Sequence, residues 1–91
     1  MHFLVVERFR DGDARPVYER FQAQGRLAPD GLRYLTSWVS TDLTTCWQIM
    51  ACDDRSLLEE WIARWTDLVD FEVREVLTSS EAKERVLGGS S

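Results

Sequence analysis

Glu7 interrupts an apolar, β-branched run, His2 to Phe9, and it is the carboxylate best placed to do acid–base work. A carboxylate on the inner face of a sheet loses solvation, which raises its pKa toward neutrality and suits it to act as a general base. The plainer account is a salt bridge with Arg8 or Arg74, or exposure at the strand end. Gln48 lies in the middle of a second apolar run, "CWQIM", where a buried amide needs partners and can orient a ligand carbonyl or satisfy the Thr36 hydroxyl. Tyr34 and Trp38 offer faces on which a planar molecule would stack, or they fill an interface. Met50 completes this group of candidate ligand-binding residues, Tyr34, Trp38, Gln48 and Met50, with Glu7 as the candidate catalytic one.

Other reactive residue types are poorly arranged for chemistry. Cys46 and Cys52 would stand roughly 20 Å apart on one extended strand, too far to bridge. They show no CxxC spacing and have no histidine beside them, so neither a nucleophile nor a metal site is expected. One histidine and scattered carboxylates make no metal set. The "DGD" and "PDG" segments are turns and no glycine-rich phosphate loop is present, so no cofactor is expected.

These residues need elements to hold them. "HFLVVERF" reads as a strand. Asp13 and Pro16 open a helix carrying Val17, Tyr18 and Phe21 at helical spacing, and Gly25 stops it. "LAPDG" turns into a strand over Leu32 to Val39. "STDLT" turns again into a third strand within Thr44 to Asp54. Asp53 or Asp54 caps a second helix with Leu57, Leu58, Trp61, Ile62, Trp65 and Leu68 on one stripe, which makes the two tryptophans core residues. Glu60 and Arg64, one turn apart, pair on its solvent side. Asp70 to Leu77 forms the fourth strand, and Thr78 with Glu81 forms a capping box for a short last helix.

The order is strand, helix, strand, strand, helix, strand. Right-handed crossovers then place both helices on one face of a four-stranded antiparallel sheet. The expected fold is α+β, a ferredoxin-like βαββαβ plait over residues 1–87, with a flexible tail over 88–91. Pairing Thr36 opposite Gln48 assigns Tyr34, Thr36, Trp38, Cys46, Gln48, Met50 and Glu7, with Phe3 and Val5, to the uncovered face. Leu35, Val39, Trp47 and Ile49 are then assigned to the face under the helices. A one-residue slip in register would scramble this. So large an apolar patch calls for cover. A second copy packed sheet to sheet, as in a dimeric α/β barrel, is the expected cover. The competing expectation is that Ser80 to Leu87 folds across the sheet.

The runs "VVERFR", "GLRYLTSWV", "CWQIM", "DDRSLLEEWIARWTDLVDFEV" and "VLTSSEA" resemble an uncharacterised bacterial family, domain of unknown function 3303. The likeness covers about Phe3 to Ala82. It implies a small stand-alone domain and brings no catalytic residues with it. The strand order is also similar to that of dimeric α/β-barrel proteins, among them small monooxygenases and muconolactone isomerases. A shared fold licenses no function. The haem-degrading branch of that group uses a histidine ligand, and the single histidine here is His2, at the very start.

Size and charge narrow the field. The chain has 91 residues and a net charge of -5, with no basic stripe, which argues against nucleic acid. "MHFLVVERF" has neither the leader of a signal peptide nor the length of a membrane span. Two unpaired thiols point to a reducing cytoplasm. The resulting expectation is a homodimer binding a small organic molecule between sheet and helices or between protomers. The alternatives are a cofactor-free enzyme using Glu7 for proton transfer or oxygen insertion, or a fully packed interaction module.

Overall fold

The computed structural model describes residues 1–88. The strands are β1 (His2–Phe9), β2 (Arg33–Val39), β3 (Thr45–Ala51) and β4 (Val69–Val76); the helices are α1 (Arg15–Gln24), α2 (Arg55–Ala63) and α3 (Ser79–Lys83). A 3-10 turn, Arg10–Gly12, precedes α1, and a π-type turn, Glu84–Gly88, follows α3. The sheet order is β2-β3-β1-β4 with every neighbouring pair antiparallel, the plait expected from the element order. Apart from Gly88, the tail expected over 88–91 lies outside the described residues.

Local chemistry explains where the helices begin and end. Asp13 does not cap α1 as the N-cap residue, a position held by Ala14, but its carboxylate accepts from Arg15 N at 3.0 Å. Gly25 closes α1 at φ 75°, a left-handed setting in which glycine avoids the Cβ penalty. Asp54 caps α2 by accepting from Ser56 N at 2.9 Å. Helix α2 stops at Ala63, and Trp65 and Leu68 continue its stripe through tight i→i−3 turns. The Thr78–Glu81 capping box opens α3.

The core lies between the sheet and the helices. Phe3, Val5 and Met50 pack against Leu58, Trp61 and Trp65, and Phe9, Cys46 and Val69 form a second cluster near Val17. Gly31 sits where β2 begins, at φ +93°. A Cβ at this position would stand only 2.9 Å from Leu57 Cδ1, so glycine lets the turn press against α2.

The face assignment expected from the sequence is reversed for β1, β3, Tyr34 and Leu35, and holds for Thr36, Trp38 and Val39. Tyr34 pairs with Met50 as expected, but a β-bulge at Leu35 advances β2 by one residue. Thr36 then meets Ile49, Ser37 meets Gln48, Trp38 meets Trp47 and Val39 meets Cys46. Phe3, Val5, Glu7, Cys46, Gln48 and Met50 do share one face, but it is the face under the helices. Thr36 and Trp38 are split from them onto the uncovered side, joined there by Leu35, Trp47 and Ile49. The extra residue inverts the parity of β2 beyond the bulge.

The uncovered face stays bare in the single chain. Trp38 is 75% exposed, Leu35 48% and Trp47 40%. Towards β4 the same face turns ionic, with Glu72 between Arg8 at 3.4 Å and Arg74 at 3.3 Å. The C-terminal segment does not fold over it. Val86 and Leu87 are exposed, and the radius of gyration of 15.0 Å exceeds the roughly 12 Å of a compact chain this long. Among the described residues no helix is long and apolar enough to cross a membrane.

Candidate functional site

The reversal of faces puts two polar side chains under the helices. Glu7 and Gln48 are 6% and 5% exposed, and they are the buried polar side chains of the described residues. Glu7 sits on a central strand with Cys46 opposite on β3 and Phe71 opposite on β4. The Gln48 amide Nε2 donates to Glu7 Oε2. Its carbonyl oxygen accepts from Arg26 Nη1 at 2.6 Å. Donor end to carboxylate and acceptor end to guanidinium is the one orientation of the amide that satisfies both neighbours. A chain of three groups, Glu7, Gln48 and Arg26, therefore runs from the sheet to the loop after α1.

Helix α2 holds Arg26 in place. The Arg26 carbonyl accepts from the indole N–H of Trp61 and of Trp65, each at 3.0 Å. The next carbonyl, of Leu27, accepts from Arg64 at 2.6 Å. Leu27 is itself left-handed at φ 63°, a conformation costing a side-chain-bearing residue about 1 kcal/mol and kept only where its surroundings hold it. The loop is thus tied at two successive residues to the last turn of α2 and the tight turns that follow it. The Arg26 guanidinium carbon rests 3.8 Å from the Tyr34 ring centroid and 5.2 Å from that of Phe21. Cation–π contact helps hold it beside the cavity that it lines. The Tyr34 hydroxyl bonds Ser37 Oγ at 2.7 Å, which fixes the ring in turn.

These groups open onto a cavity of about 110 Å³ between the sheet and α1, with apolar walls from Phe9, Val17, Phe21 and Val39. A smaller recess of about 40 Å³ shares Glu7, Gln48 and Arg26 and reaches Trp61 and Trp65. Loss of solvation pushes the Glu7 carboxyl up to about 7, against the opposing pull of the Gln48 hydrogen bond and the Arg26 charge. Burial, reinforced by Glu7, pushes the Cys46 thiol up to about 12, so it stands in the cavity wall as a protonated group without nucleophilic character. Burial also raises the Tyr18 hydroxyl, again with Cys46 and Glu7 adding to the effect. Among the described residues no group of three or more histidine, cysteine, aspartate or glutamate side chains is placed to hold a metal.

Of the five residues singled out from the sequence, Glu7 and Gln48 line the cavity and touch each other. Tyr34 joins them through Arg26. Met50 lies fully buried in the core, and Trp38 stands on the opposite face of the sheet, so neither reaches the cavity. His2 lies by a shallow groove on that opposite face. Sequence reasoning missed Arg26, which follows the Gly25 stop and carries no periodicity to mark it. It also missed Ser37, which the bulge brings inward. Tyr18 and Phe21 were visible as a helical stripe but gave no sign of facing a polar group.

No curated protein and no solved structure gives a match to this chain. The family model of the domain of unknown function DUF3303 matches residues 1–89, and the chain belongs to that family.

Proposed function

We propose that this domain binds a small organic molecule in the cleft between the sheet and α1. The observation that carries this reading is the convergence of Glu7, Gln48 and Arg26 on one apolar-walled cavity in an otherwise packed core. A few polar groups fixed among apolar walls are the usual form of a small-molecule site. Screening ring-sized compounds by protein-observed NMR is expected to move the indole N–H signals of Trp61 and Trp65 and to raise the melting temperature. Filling the cleft with Val17→Trp should remove both effects. A screen with no shift at millimolar concentration, or shifts that survive Val17→Trp, would refute the reading.

A second reading is a cofactor-free enzyme in which Glu7 takes a proton from the bound molecule. It is favoured by Glu7 being, among the described residues, the one carboxylate in the cavity wall, with its pKa near neutrality. Two copies, on this proposal, pack sheet to sheet over Leu35, Trp38 and Trp47 in a reducing cytoplasm, where the free Cys46 and Cys52 stay unpaired. Sedimentation is expected to give a dimer at micromolar concentration and a monomer for Trp38→Glu. A wild-type chain that remains monomeric at ~100 µM, well above the ordinary range for stable pairs, would rule the dimer out.

A further inference from the structure

We infer that the cleft selects a small planar organic anion, a ring-sized carboxylate whose oxygens meet the open side of the Arg26 guanidinium. The inference rests on the cleft reading above and adds the chemical class of the ligand.

Seven arginines of the described chain, at positions 8, 10, 15, 20, 55, 64 and 74, lie within 4.0 Å of a carboxylate. Arg26 does not. Its side chain makes one hydrogen bond, to the Gln48 carbonyl, and no buried side-chain nitrogen is left unpartnered. The remaining N–H groups of its planar fork therefore reach the cavity or solvent. A guanidinium in contact with the Tyr34 and Phe21 rings and bonded to Gln48 has already given up much of its freedom, so less is lost when it grips a carboxylate.

Gln48 also keeps Glu7 from neutralising Arg26. Its amide stands between them, so the cation keeps an unfilled side and the acid stays desolvated. The groups facing Glu7 are Tyr18 from α1, Cys46 and Gln48 from β3 and Arg26 from the loop; β4 and α2 bring uncharged rings. Among the described residues no second acid lines the cavity to repel an anion. Glu7 in its protonated form offers a hydrogen bond to one, and its burial favours that form at and below neutral pH. The cavity, about 110 Å³, is smaller than the ~150 Å³ that encloses benzene but is open to solvent on one side, so one ring enters only in part and leaves its acidic substituent at the mouth.

The test is calorimetric titration with benzoate, benzyl alcohol and benzylamine at pH 6 and pH 8.5, against wild type, Arg26→Gln and Glu7→Gln. Benzoate, ionised at both pH values, is expected to bind at least ~10-fold tighter than benzyl alcohol at pH 6, and benzylamine weakest. Its affinity should fall by up to ~10-fold per pH unit above 7 in wild type as Glu7 ionises, and stay flat in Glu7→Gln. Arg26→Gln should erase the preference for benzoate. Arg26→Lys, which keeps the charge and loses the fork, should retain part of it, and it serves if Arg26→Gln does not fold. Benzyl alcohol or benzylamine binding as well as benzoate, or a preference that survives Arg26→Gln, overturns the anion inference and leaves the cleft reading standing. If no probe binds, both fall.

Discussion

At pH 8, Glu7→Gln should make the protein more stable than wild type by on the order of 3 kcal/mol. At pH 4 the two should be nearly equal. The carboxyl is raised from 4.5 to about 7 by loss of solvation in the core. Between those values the folded chain holds a proton that the unfolded chain has lost. Stability therefore falls as pH rises through this window, and above it the full cost of a buried charge remains, at about 1.4 kcal/mol per pKa unit. Glutamine keeps an oxygen to accept from Gln48 and never ionises. Asp54, Asp67 and Glu81 work in the opposite direction: hydrogen bonds hold their carboxyls below the usual range, so their contribution is lost as pH falls. The difference between variant and wild type isolates Glu7. Urea denaturation of both proteins at half-unit steps from pH 4 to pH 8 gives the curve, and a variant that tracks wild type throughout would show that Glu7 is solvated in the folded state. Natural retention of an acid whose isostere stabilises the fold is what a binding or catalytic role would require.

The order of elements was legible in the sequence because each junction is marked by local chemistry. Gly25 and the Thr78–Glu81 pair act where they stand and were placed by residue type alone, while residue type narrowed the α2 cap to Asp53 or Asp54, of which Asp54 holds it. Which face of the sheet meets the helices was not legible, and the reason is a single residue. Alternation along β2 holds from Arg33 to Tyr34, and the bulge at Leu35 inverts it, so Trp38 keeps its expected open side while Tyr34, Gln48 and Met50, grouped with it, lie under the helices. Nothing in "RYLTSWV" signals the bulge, which has neither glycine nor proline. The partition of polarity misled as well. Glu7 and Gln48 looked like residues of a half-solvated face, whereas they are buried together and satisfied by each other and by Arg26. A buried polar pair inside an apolar sheet breaks the local rule, and such breaks are expected where a fold carries function.

Arg26 was illegible for a different reason. Its role comes from α2, some forty residues further along, whose Trp61 and Trp65 were read correctly as core by their spacing. Spacing reports which way a side chain faces and is silent about where its one polar atom goes. Both indoles spend their N–H on the same backbone oxygen. A stripe chosen for packing therefore also fixes the loop that supplies the cation of the site.

That shared oxygen makes the two tryptophans interdependent. A carbonyl has two lone pairs, and here each indole takes one, so Trp61→Phe or Trp65→Phe alone leaves the Arg26 carbonyl with a partner. Each single change should cost about 1–2 kcal/mol, from one hydrogen bond and part of a ring; for Trp61 this includes the edge contact with Phe71 at 6.0 Å. The double variant should cost more than the sum by about 1 kcal/mol, because the carbonyl is then orphaned in a partly buried site and Leu27 loses support for its left-handed backbone. A double-mutant cycle by urea denaturation measures the excess. NMR of the Arg26 side chain supplies the functional readout: its Nε–H signal should remain sharp and shifted by the Tyr34 ring in either single variant, and should collapse toward the free-arginine position in the double. Strict additivity, with the Arg26 signal unmoved, would mean that stacking on Tyr34 and the bond to Gln48 suffice to place the guanidinium, and that α2 contributes only its bulk.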